Sequence, residues 1–132
     1  MSIISGAPML TFTGSSDRLW RRWLEGGLVE SRAYRWRPSV DVFEVEGGAI
    51  VRVEAAGLLD EDFNVAFDRD RLVIEGARAE RMVRRPLSCH QVEIASGSFR
   101  TEVRAPWPVD PQRIEVDYHA GIISVFLPRR TG

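Results

Sequence analysis

From Val40 to Pro128 the chain alternates apolar and polar residues in short runs, each closed by turn residues. The clearest pair lies near the end. Ile114, Val116 and Tyr118 fall on one face of an extended segment, with Glu115 and Asp117 on the other. A turn at Ala120-Gly121 follows. Ile123, Val125 and Leu127 then oppose Ile122, Ser124 and Phe126, until Pro128 ends the run because it has no N–H for a ladder. Upstream, the same period of two predicts strands over Val40–Val45 and Ala49–Ala55, joined by a hairpin turn at Gly47-Gly48. Further strands are expected around Phe63, Val65 and Phe67, over Arg71–Ala77, over Ser88–Ile94 and over Phe99–Ala105. Short strands at this spacing, with no helical period between them, predict an all-β antiparallel sandwich.

Residues 1–38 follow a different pattern. Met1–Gly14 shows no clear period and is expected to be a flexible arm. Ser15-Ser16-Asp17 supplies an N-cap and an acidic first turn, and Gly26-Gly27 a stop, so a short helix is expected between them. Its apolar face carries Leu19, Trp20, Trp23 and Leu24. A helix of this length is marginal unless that face is covered. It either packs on the sheets of its own chain or serves as an adhesive face for other polypeptides. The expected organisation is an arm over 1–38, a sandwich over 39–128 and a short tail over 129–132.

With 132 residues the chain suits one domain, and its net charge of −1 offers no global field to attract nucleic acid or an anionic membrane. All eighteen basic residues are Arg, which excludes Schiff-base lysine chemistry and a P-loop lysine. The single cysteine, Cys89, allows no internal disulfide, and neither a secretory signal nor a membrane-length apolar run is evident, so a cytoplasmic location is expected. Cys89 beside His90 is poor geometry for a nucleophile and its base, because neighbours on a strand point to opposite faces. His90 and His119 alone leave a metal site short of ligands. Asp60-Glu61-Asp62 reads as a solvated face or a cap, and the Arg78–Arg85 run, broken by Glu80 and lacking aromatics, as a solvated loop. No enzyme, metal, cofactor or nucleic-acid partner is therefore expected.

Five segments, in order, resemble the α-crystallin domain of small heat-shock proteins, of the bacterial type. They are Val40-Asp41-Val42-Phe43-Glu44, Ala56–Val65, Leu72-Val73-Ile74-Glu75-Gly76-Ala77-Arg78 (similar to Leu-x-Ile-x-Gly-x-Arg), Gly97-Ser98-Phe99-Arg100 and Ala120–Pro128. The resemblance spans Pro38–Pro128 and implies an immunoglobulin-like sandwich with an ATP-independent chaperone, or holdase, activity. It implies client binding by the arm through Phe12, Leu19, Trp20, Trp23 and Leu24. It implies a groove lined by Phe63, Val65, Phe67, Ile114, Val116 and Tyr118. It also implies a homodimer built by a strand in the 78–94 region, with Leu87, Cys89, Gln91, Val92, Ile94, Arg100 and Arg104 at the interface.

The chain departs from that family at several points. Ala56 and Ala105 replace the usual Pro and Leu, and Thr101 stands where many members carry an interface Arg. No Ile-x-Ile segment follows Pro128, so a dimer or small oligomer is expected, with the groove open to the chain's own arm (Met1–Ile4, for instance) or to a client. The alternative reading is an interaction module like the CS domains of co-chaperones, binding one folded partner.

Overall fold

The computed structural model describes residues 2–6, 9–13, 34–82 and 84–131. Among these, nine strands form two antiparallel sheets. They are β1 (Ser2–Gly6), β2 (Met9–Thr13), β3 (Val40–Val45), β4 (Gly48–Glu54), β5 (Phe63–Asp68), β6 (Arg71–Arg78), β7 (Gly97–Arg104), β8 (Glu115–His119) and β9 (Ile122–Pro128). One sheet has the order β1-β2-β5-β6-β7 and the other β3-β4-β9-β8. The sandwich read from the period of two is the fold observed.

Register explains the core. Ala49, Val51 and Val53 of β4 lie opposite Leu127, Val125 and Ile123 of β9, and all six are fully buried. Across the sandwich, Val65 pairs with Ile74 and Phe67 with Leu72, also buried. Phe99 of β7 sits opposite Gly76 of β6, and a Cβ on Gly76 would lie 2.7 Å from the Phe99 ring, so only glycine lets the ring close that end. Side chains in register on facing strands form the continuous apolar layer that stabilises such a fold, at about 25 cal/mol per Å² removed from water.

One expectation is corrected. Part of Met1–Gly14, read as an arm without period, forms β1 and β2, and β2 continues the ladder beyond β5. A run of five residues is too short for its period to declare itself, and the edge that pairs with it, Asn64–Asp68, lies far along the chain. Ser88–Ile94, expected as a strand that reaches a partner subunit, pairs with no strand among the described residues: an alternating segment becomes a strand only where an edge accepts it. The helix expected over Ser15–Gly27, with Leu19, Trp20, Trp23 and Leu24, lies outside the described residues.

Candidate functional site

Three surfaces contain the residues marked by sequence. The first is the mouth of the sandwich between β5 and β8. β8 is the free edge of its sheet, and β5 would be the edge of the other were β2 not paired to it. The rings of Phe63 and Tyr118 meet across this mouth at 5.5 Å, tilted by 56°. The Tyr118 hydroxyl donates to the Ala55 carbonyl at 2.7 Å and accepts from the Leu58 N–H at 3.1 Å, which pins β8 to the segment leaving β4. Phe63, Val65, Phe67 and Ile114 are buried, while Val116 and Tyr118 keep part of their surface. The groove residues therefore come together, but most of their apolar area already belongs to the core. Phe12, expected to meet clients, stands in backbone register with Val65.

The second surface is the connection from β6 to β7. Leu87, Cys89, Gln91, Val92 and Ile94 are all exposed, with Leu87 completely so and Ile94 at 82 %. His90 Nε2 lies 3.4 Å from Ser88 Oγ, its one side-chain neighbour of that kind among the described residues. The base of the connection is fixed by arginines. Arg78 donates to the Ala95 carbonyl from Nε at 2.9 Å and from Nη2 at 2.6 Å. Arg81 donates to the Gly57 carbonyl at 3.0 Å and pairs with Asp62 at 3.1 Å. Asp62 also accepts the Leu59 N–H at 2.7 Å, so this member of the acidic trio caps its own turn.

The third surface is β3, which together with β8 bounds its sheet among the described residues. Val42 and Phe43 point to opposite faces and remain 48 % and 47 % exposed. Arg100 and Arg104, expected at an interface, are engaged within the chain: Arg100 with Glu102 at 2.9 Å and Arg104 with Asp70 at 3.3 Å. Arg71 reaches the second oxygen of Glu102 at 2.8 Å. Partial burial works to raise the Glu102 carboxyl, but the hydrogen bonds and charges of Arg100 and Arg71 outweigh it and hold its pKa below the usual carboxylate range. Thr101 is buried opposite Ile74, in the interior layer.

Sequence reasoning missed the role of Trp36. Its Nε1 donates to the Gly97 carbonyl at 3.0 Å, its ring packs on Phe99 at 5.1 Å, and the Arg78 guanidinium lies 4.1 Å above it. Tyr34 donates its hydroxyl to the buried Glu75 carboxylate. The alternation of Tyr34 and Trp36 with Arg35 and Arg37 was the available signal, since it matches a segment lying along the β7 edge.

Two antiparallel sheets in this order form an immunoglobulin-like sandwich, with exposed apolar residues gathered on an edge strand and on one long connection. Residues 41–132 match the Hsp20/alpha crystallin family, and the chain belongs to it. Heat shock protein 16 of Schizosaccharomyces pombe is 32 % identical over 94 residues, covering 70 % of this chain and 66 % of that protein. Small heat shock protein C2 of Rickettsia felis is 25 % identical over 93 residues, covering 70 % and 60 %. The matches thus span about two thirds or less of these relatives' lengths. Among solved structures, heat shock protein 16.0 of Schizosaccharomyces pombe superposes with a TM-score of 0.64 at 30 % identity, covering 74 % of this chain and 94 % of that one. A small heat-shock protein from Xylella fastidiosa, described as having a distinct high order structure, gives 0.66 at 26 % identity, covering 74 % and 90 %. No helix among the described residues is long and apolar enough to cross a membrane.

Proposed function

We propose that this chain is an ATP-independent holdase that binds partly unfolded polypeptides through apolar surface and suppresses their aggregation. The observation that carries the reading is the apolar area left unspent on a folded sandwich of this family: Leu87, Val92 and Ile94 on one connection, Val42 and Phe43 on a free edge. A non-native client exposes the same kind of surface, and mutual burial stabilises the complex at about 25 cal/mol per Å². No bond is made or broken, so no catalytic group and no cofactor is needed. The cell's cytoplasm is the proposed setting.

The subunit arrangement follows from the same surfaces. The exposed 87–94 segment carries Leu87, Val92 and Ile94 and pairs with no strand among the described residues, while β3 is an edge with apolar side chains on both faces. Addition of this segment to the partner's β3 would satisfy both, building a homodimer. Arm residues Leu19, Trp20, Trp23 and Leu24 are proposed as a further client contact.

The test is light scattering of a heat-labile protein without ATP, with and without this chain, alongside a Trp20→Ser/Trp23→Ser variant. Suppression is expected near equimolar subunits and should weaken in the variant. Absence of suppression at molar excess overturns the holdase reading. Full suppression by the variant removes the arm from it.

A further inference from the structure

The outward face of the β3-β4-β9-β8 sheet divides into an apolar half and a polar half. Ala49, Val51 and Val53 point into the core, so Ile50 and Arg52 between them point away from it. Phe43, Ile50 and Phe126 stand on this face in one rung across β3, β4 and β9. Phe43 is 47 % exposed and Val45, two residues further along the same face, 40 %, while Ile50 and Phe126 each keep part of their surface. The Phe126 ring lies over Gly48, where an added Cβ would come within 2.9 Å of it. Glu115 of β8 closes this rung, and the rung two residues away reads Asp41, Arg52, Ser124 and Asp117. There Asp41 and Glu54 line a depression of about 260 Å³ with Ser39, Arg52 and Ile122. Asp41, Glu54, Glu115 and Asp117 thus border the apolar row, with Arg52 as the basic residue among them.

We propose that this face docks basic amphipathic helical segments of partly unfolded clients, and so biases the chain toward basic clients. The geometry gives the class of ligand. Neighbouring strands lie about 4.8 Å apart, so the row from Phe43 to Phe126 spans about 10 Å. Seven residues of helix rise about 10.5 Å, so apolar side chains at i, i+3 or i+4 and i+7 match the row one for one. An extended segment, with about 6.8 Å between residues on one face, does not. The depression at Asp41 and Glu54 lies about 7 Å to one side, within reach of an Arg or Lys on the flank of that helix. The same carboxylates disfavour a second copy of this face and an anionic bilayer, since either brings like charge to the rim. The proposal rests on the holdase reading for the source of the ligand, and on the apolar row with its acidic rim for its recognition.

The test titrates the full chain with two fluorescein-labelled peptides, read by anisotropy. Both have about 15 residues, enough for a helix once docked, with Leu at i, i+3 and i+7. One carries Arg at the flanking positions and the other Glu. At low salt the Arg peptide should bind at least about tenfold more tightly than the Glu peptide, and the gap should close as ionic strength is raised to about 0.5 M. Phe126→Thr, on the outward side of β9, should weaken the Arg peptide at least about tenfold. Asp41→Asn/Glu54→Gln should bring the two peptides within about threefold of each other. Equal affinity for both peptides in the wild type overturns the proposal, as does an Arg-peptide affinity that neither variant changes. Should Phe126→Thr fail to fold, the exposed Asp41→Asn/Glu54→Gln pair decides alone. Binding of the Arg peptide only once Trp20→Ser/Trp23→Ser is introduced gives the face to the chain's own Leu19–Leu24 segment, and a smaller solution mass in Phe126→Thr gives it to a second copy; either result overturns the proposal. Charge-selective binding by a chain that suppresses no aggregation leaves the docking face standing and removes the holdase reading, whereas suppression with equal peptide affinities does the reverse.

Discussion

Ala120 occupies the left-handed region, with φ at 51°, beside Gly121 at 79°. The two close the β8–β9 hairpin with the geometry that matches the right-handed twist of its strands. Glycine reaches that geometry freely, whereas alanine brings its Cβ against the following carbonyl and costs about 1 kcal/mol. Asparagine tolerates the conformation better, so Ala120→Asn should raise stability by about 0.5–1 kcal/mol, read as a higher midpoint in urea with unchanged slope. A lower midpoint would show that the strain is relieved elsewhere. The turn itself was legible from Ala-Gly between two alternating runs. The strain at its first position was not, because it depends on a backbone angle that the hairpin imposes.

Among elements, legibility followed whether a strand's partner is encoded by its own period. β4, β6, β7 and β9 carry alternating apolar residues over six residues or more and were read directly, to within a residue or two at their ends. β2 was not, since Met9–Thr13 becomes a strand through β5's edge rather than through its own pattern. The strands that carry Phe63–Phe67 and Ile114–Tyr118 were legible because they alternate clearly, whereas the groove between them was implied by the family resemblance. That their area is mostly spent inside depends on how the two sheets close, which period alone does not specify. On β7, Glu102 gathers Arg71 from the neighbouring β6 and Arg100 from its own strand. Its carboxyl is held below the usual range, so it contributes stability that is present above the unfolded-state value and is lost as pH falls through the folded-state one. Glu102→Gln should therefore flatten the acid side of the stability–pH curve while leaving two guanidiniums unneutralised at neutral pH. Denaturant midpoints between pH 7 and pH 3 check this, and an unchanged acid slope would assign the loss of stability to other carboxylates.

At the scale of the whole molecule, the two sheets meet their limits at different edges. β2 and β1 extend one sheet, while β3 and β8 leave the other open at both ends. Lysine on both faces of an edge strand resists further pairing. Val42→Lys/Phe43→Lys should thus halve the solution mass measured by light scattering after gel filtration, if the proposed dimer forms through β3, and should leave the thermal transition of the sandwich in place. An undiminished mass would move the interface away from β3.

The Arg78 guanidinium binds the Ala95 carbonyl through two nitrogens and lies over the Trp36 ring. One side chain thus fastens both the departure and the return of a connection that begins at β6 and ends at β7. The stretch between is thereby set off from the sheets like a cassette: a change of length at its tip would leave the register beneath it untouched. Loop closure grows only slowly dearer with length. A single clasp of this kind would let one sandwich trial many modes of assembly without refolding its core.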